Sequence, residues 1–371
     1  MFFEIHTRKV QSSSATELYV SAVPKVSVRT QSEISELFAG IRETLKSAQA
    51  SILQERIFTV EGALDTVSEA RQGAYGEIDD GVAPSFLIGR QGRRGAISGV
   101  QIHAVACSSK PEVLKLGGKA CGRMLKVPGQ AYVTLSALSG GKSGNRSKQA
   151  RKMLEKAESV LRRLGKDFMC VPRTWMWLGD ILSWYGEFNG VRNQFFSERG
   201  LIGKGSRQSM PASTGIGLSL GGGGQCGMDL TAVLEPADSI EFLAAIGQQQ
   251  CALEYGSAFS RASHAASPAG KTVFVSGTAS IDAKGATTHI GDAFGQIETT
   301  IENVRAALRD MNCSETDVVQ AMAYCKTTEV EKAFENHKKQ IDWPWLTVIC
   351  DICRDDLLFE TEVTAMPGAT Q

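Results

Sequence analysis

The sequence predicts an α+β protein made of three like units. Each unit is a mixed sheet with two helices on one face, and the three close into a pseudo-trimer within one chain. Three observations predict this. One order of strand, helix, strand, helix and two closing strands recurs three times along the 371 residues. A proline, Pro84, Pro211 or Pro344, introduces each closing pair. The helical stretches carry apolar residues at spacings of three and four, the mark of one-sided helices. Helices on one face leave the other sheet face apolar and bare. Three such faces can bury one another, at ~25 cal/mol per Å² of apolar surface.

The opening strands are ELYVSAVP (17–24), QAYVTLSAL (130–138) and KTVFVSGTASI (271–281). The first helices span 32–48, 147–164 and 292–311. Second strands follow at 51–60, 167–178 and 317–327, then second helices at 61–75, 180–196 and 329–341. The closing strands lie within 84–106, 211–234 and 344–365. Boundaries are expected at 1–110, 111–237 and 238–371. Counted from each proline, Gln101, Asp229 and Glu360 fall at matching places. The clefts between neighbouring units are the expected binding sites.

Composition excludes several classes. Apolar residues make up 42% and charged residues 22%, as in a globular protein, and the formal net charge is zero. A phosphate-neutralising protein would carry a basic excess, so no nucleic-acid partner is expected. No run of ~18 apolar residues suits a membrane span. The N-terminal MFFEIHTRKV lacks the regions of a signal peptide. The nine cysteines are odd in number and sit mostly in apolar runs, which suits reduced thiols and a cytoplasmic location.

The third unit resembles the RidA family, also called YjgF or L-PSP, of chorismate-mutase-like fold. The residues that carry this are 272-TVFVSGTASID-282, 317-DVVQAMAYCKT-327 and 356-DLLFETEVTAM-366. The resemblance implies ligand clefts between units. It also implies an arginine just after the proline in the family's enamine and imine deaminases. Trp345 and Ala212 stand at those places, which argues against deamination. A longer resemblance, to chorismatases, covers the second and third units. It rests on 173-RTWMWLGDILSWYGEFNGVRNQFF-196, 211-PASTGIG-217, 255-YGSAFSRA-262 and 351-DICRDDLLFE-360. It implies conversion of chorismate to pyruvate plus a dihydroxycyclohexadienoate or a hydroxybenzoate, without cofactor or metal. It also implies that Glu360 is the proton donor.

The chemistry asks for residues of these types. Cleaving an enol ether requires protonation of its CH₂, and burial can keep a glutamate protonated near neutral pH. Strand alternation puts Glu360, Glu362 and Leu358 on one face. Two substrate carboxylates call for fixed arginines. Arg261 is in a loop-like FSRASHAASPAG, Arg192 shares a helix face with Tyr185, and Arg354 follows the DIC segment. Cys353 can line the same cleft. Arg173 is a candidate support residue pairing with a carboxylate. Trp345 is expected to wall or fill the cleft.

Other signals are weaker. Cys350 and Cys353 form a lone Cys-x-x-Cys without the further ligands of a zinc site or the helix start of a redox motif. LSGGKSGNRS (138–147) lacks the first P-loop glycine, since Ser136 is there. GIGLSLGGGG (215–224) reads as a mobile loop and possible lid, and His264 as a residue of a polar loop. Two alternatives remain beside a chorismatase-like enzyme: a RidA-type deaminase, or a non-catalytic binder of small carboxylates or of a protein. RNA cleavage has no basic excess and no apparent histidine pair to support it. The expected partner is a small dicarboxylate, with the chain a monomer or a homo-oligomer.

Overall fold

A computed structural model describes residues 2–202, 209–247 and 249–371. The first unit contains β1 (Phe3–Gln11), β2 (Ala15–Pro24), α1 (Gln31–Ser47), β3 (Ser51–Val60), α2 (Leu64–Tyr75), β4 (Ser85–Gly89) and β5 (Ile97–Cys107). The second contains β6 (Glu112–Leu116), β7 (Lys119–Val127), β8 (Gln130–Ser139), α3 (Arg146–Arg163), β9 (Arg173–Leu178), α4 (Tyr185–Glu198), β10 (Ala212–Ile216), β11 (Ser219–Leu220) and β12 (Cys226–Glu235). The third contains β13 (Glu241–Leu243), β14 (Ala262–Ser267), β15 (Gly270–Ala279), α5 (Ala293–Asp310), β16 (Val318–Cys325), α6 (Thr328–His337), β17 (Trp345–Ile349) and β18 (Phe359–Ala365).

The three sheets share one strand order. It reads β1-β2-β5-β3-β4, then β7-β8-β12-β9-β10, then β14-β15-β18-β16-β17. Each of Pro84, Pro211 and Pro344 stands just before the strand that pairs in parallel with β3, β9 or β16 of its unit. Each helix pair packs on one face of its own sheet, giving three separate cores. The first helices are capped by Thr30, Asn145 and Asp292, whose side chains accept from backbone N–H groups of the first turn.

The opposite sheet faces meet in a fourth core. Phe58 and Leu87, Trp175 and Trp177, and Met322 and Tyr324 pack there around a pseudo-threefold axis. The fourth strand of each unit then reaches the next unit. Gly217 pairs with Asp351, Ile349 with Arg90, and Ile88 with Ser219. These pairings fix the glycine-rich 215–224 segment. It is a tether between units and not a free lid.

Several sequence expectations need correction. The stretch 167–178 is not one strand. Phe168–Cys170 form a 3₁₀ turn and the strand begins after Pro172, which has no N–H to donate. FSRASHAASPAG is not a loop, because Ala262–Ser267 form β14, antiparallel to β15. His264 is therefore a strand residue, and its Nε2 lies 2.8 Å from Glu241 Oε2. Leu358 precedes β18 and packs on the helix side, away from Glu360. Trp345 packs with Trp343 and Phe334 and lines a groove between the third and first units. It neither walls nor fills the Glu360 cleft.

The repeat equivalence also shifts by two residues. Tyr19 pairs with His103 and Phe274 with Thr364, and His103, Thr231 and Thr364 together line the axial cavity. Two residues back on each closing strand stand Gln101, Asp229 and Glu362. Arg56 bonds Asp229 as Arg173 bonds Glu362, which supports that alignment. The counterparts of Glu360 are then Gly99 and Gly227. A Cβ at Gly99 would meet Leu346 at 2.8 Å, and one at Gly227 would meet Leu220 at 2.8 Å. In those two clefts a leucine occupies the space.

Candidate active site

The third cleft, between the second and third units, holds a pocket. Its wall brings together all six residues singled out in the sequence: Glu360, Arg261, Arg192, Tyr185, Arg354 and Cys353. They come from distant parts of the chain. Tyr185 opens α4 and Arg192 lies two turns on, so helical spacing stacks them on one face. Arg261 immediately precedes β14, Cys353 and Arg354 lie between β17 and β18, and Glu360 is the second residue of β18.

Glu360 is 4% exposed, and no protein donor reaches its carboxyl among the described residues. Burial pushes it up to about 8. The neighbouring Glu362 adds to the rise, while Arg173, Arg354 and Arg261 oppose it. The carboxyl is thus the neutral acid at pH 7. It lies flat against Gly277, where a Cβ would collide with Oε1. A glycine inside a strand marks such a close approach.

Each arginine has a hydrogen-bond acceptor, and Arg192 and Arg261 keep a buried donor over. Arg192 is 1% exposed, its Nη2 donates to Asn189 Oδ1 at 2.8 Å, and its Nε has no partner. Arg261 is 3% exposed, its Nε donates to the Gln250 carbonyl at 3.1 Å, and its Nη2 has no partner. Arg354 Nη1 donates to the Gly285 carbonyl at 2.5 Å. Unsatisfied buried guanidinium N–H groups are costly, and an anion in the cavity would satisfy them. Burial raises the Tyr185 phenol well above its usual range, and it pushes the Cys353 thiol up to about 12. Tyr185 is therefore a neutral donor and Cys353 an unreactive thiol.

Sequence reasoning missed Tyr255, Phe259, Ser213 and Gly277. Tyr255 sits under both Arg261 and Arg354, 5.4 and 5.5 Å from ring centroid to guanidinium carbon. Phe259 lies similarly between Arg192 and Arg261. Both aromatics belong to the connection between β13 and β14, which thereby forms a wall of the cavity. The interior strand glycine was the one local signal available for Gly277.

Beneath the cavity, Arg173 Nη2 donates to Glu362 Oε2 at 2.5 Å, the support pairing expected for Arg173. Trp175 Nε1 donates to Glu362 Oε1 at 2.9 Å, and the Thr214 hydroxyl donates to Oε2. Cys107, Cys121, Cys170, Cys226, Cys313, Cys325, Cys350 and Cys353 are free thiols. Burial raises Cys350 as it does Cys353. No group of metal-binding side chains occurs among the described residues, and no helix among them is long and apolar enough to cross a membrane.

Comparison with known proteins bears on the fold. Residues 253–366 match the family model described as endoribonuclease L-PSP. A crystal structure of a chorismatase superposes with a TM-score of 0.61 at 19% identity, covering 85% of this chain and 93% of that one. The YjgF product of E. coli aligns with 34% of this chain and 99% of its own at 16% identity and a TM-score of 0.27. A YjgF-family protein from Neisseria meningitidis aligns with 34% and 93% at 14% identity and a TM-score of 0.26. A search of curated protein sequences gives no match. The chain has the fold of a chorismatase, with an L-PSP-type unit at its C-terminal end.

Proposed function

We propose that this chain is a cofactor-independent enzyme that cleaves the enol ether of chorismate, with pyruvate as one product. The observation that carries the reading is a neutral buried carboxylic acid, Glu360, facing a cavity ringed by Arg192, Arg261 and Arg354. Such a wall suits a small dianion with one acid-labile bond. Two guanidiniums hold the two carboxylates, and the arriving negative charge favours the protonated form of Glu360 further. Glu360 gives its proton to the enolpyruvyl CH₂, and the ether oxygen shares the resulting positive charge. Water then adds at the cationic carbon that bears the ether oxygen, giving a hemiketal. The bond from that carbon to the ether oxygen breaks, the ring leaves as an alcohol keeping that oxygen, and a proton returns to Glu360. Atoms balance as chorismate plus water giving pyruvate plus a dihydroxycyclohexadienoate. Capture by a neighbouring hydroxyl, with aromatisation to a hydroxybenzoate, uses the same first step.

Purified protein and chorismate, with lactate dehydrogenase coupling to detect pyruvate, test the reading. Pyruvate should appear in proportion to enzyme, and Glu360→Gln should abolish it while chorismate still binds. No pyruvate above the buffer rate at high enzyme concentration would sink the proposal. The deaminase alternative predicts ammonia from an enamino acid instead. It lacks the arginine it needs, since Ala212 stands at the start of β10 in this cleft.

A further inference from the structure

We propose that Glu362 is the positioning residue that keeps the acid proton on Glu360. The inference rests on Glu360 being the acid, and it adds how that state is maintained. The two carboxyls alternate on one face of β18, with Cα atoms roughly 7 Å apart. Glu362 receives three donors, from Arg173, Trp175 and Thr214. Glu360 receives none from the described residues. Of the two neighbouring buried carboxyls, one is ion-paired to a guanidinium and the other has no donor among the described residues; a nearby carboxylate disfavours ionisation of the second.

The paired carboxylate is a repeated part of the fold. Its counterpart Asp229 accepts from Arg56 Nε at 2.9 Å, from the Ala137 N–H at 2.8 Å and from Ser85. There the next outward position is Gly227, so no second carboxyl feels the charge. Only the third unit adds an acid beside the structural anion. An anion that stabilises an inter-unit contact in one cleft thus sets a proton in another.

The groups facing Glu360 are few in kind. Glu362 on its own strand is the anion. Arg173 on β9, Arg261 before β14, and Arg354 after β17 are the opposing cations. Cys350 and Cys353 beside the strand, Tyr185 on α4 and Tyr324 on β16 are held neutral by burial. Arg192 on α4 lines the same cavity. With the cations fixed, removing the one anion should release the Glu360 proton at lower pH.

The test is an infrared titration of the Glu360 carboxyl, isolated as the parent spectrum minus that of Glu360→Gln. In Glu362→Gln the midpoint should fall by roughly one to two pH units, as expected for a charge at this distance in a protein interior. The alkaline limb of pyruvate release should move by the same amount, and Glu362→Asp should restore both. If Glu362→Gln does not fold, Arg173→Gln/Glu362→Gln removes both charges. Its midpoint should still fall, because the anion acts on Glu360 more strongly than Arg173 does. An unmoved midpoint in a folded variant overturns the proposal, as does equal loss of rate at every pH. If the parent releases no pyruvate, the functional reading fails, and the infrared midpoint still decides this one.

Discussion

A buried carboxyl that keeps its proton has a cost that depends on pH. Glu360 titrates near 8 in the folded chain against 4.5 as a free side chain. Between those values the folded state holds a proton that the unfolded chain has released. Stability therefore falls as pH rises through that window, and the full penalty is present above the folded value. Glu360→Gln removes the titrating group. It should gain stability over the parent between about pH 5 and pH 9, by on the order of a few kcal/mol. Urea midpoints at the two pH values check this, and an equal difference at both would refute it. Arg261, also in the wall, has a buried donor without a partner among the described residues. Arg261→Met should weaken ligand binding by roughly a hundredfold, the worth of a hydrogen bond to a charged group. Calorimetric titration with chorismate measures it, and an unchanged affinity would remove Arg261 from the ligand shell.

At the scale of elements, the strands do more than frame the cleft. β15 presents Gly277 to the acid, and the Cβ of an alanine there would displace the Glu360 carboxyl and press on the Thr214 methyl at 3.1 Å, both of them side-chain groups. Gly277→Ala should fold with little loss of stability yet lower the rate tenfold or more, since about 1.4 kcal/mol of lost transition-state contact suffices. Wild-type turnover in that variant would free the carboxyl from this constraint. β11 seals the cleft between the first and second units with Leu220. Leu220→Ala should cost about 2–5 kcal/mol in denaturant melts, as for other buried leucines.

The central strands and the six helices were legible because their apolar residues keep a clear period. The outer strands β1, β7 and β14 were not. Their small and polar residues, as in ASHAAS, take extended form from the partner strand and not from any local pattern. Glu360 stood out as a carboxyl among apolar neighbours. Glu362 did not, because its role comes from Arg173 and Thr214 of another unit, which no local spacing reveals. The register error between the two arose in the same way. Distance from a proline is a looser ruler than the pairing of strands.

At the scale of the whole molecule, three clefts share one plan and differ in content. Leu346 lies where Gly99 leaves room, Leu220 where Gly227 does, and the third cleft pairs an acid with three arginines. A ligand titration should therefore saturate at one equivalent per chain. Binding of two or three equivalents with like affinity would contradict the filling of the other clefts.

The tether that joins the strand ends of successive units has a further consequence. In an assembly of identical copies, every substitution is made at all three seams at once, and a residue that helps one seam must be tolerated at the others. Joined in a single chain, each seam can change alone. A leucine can harden two of them into scaffold while the third stays open and strained around its proton. Division of labour among copies, which exact symmetry forbids, is open to a protein that carries its own neighbours.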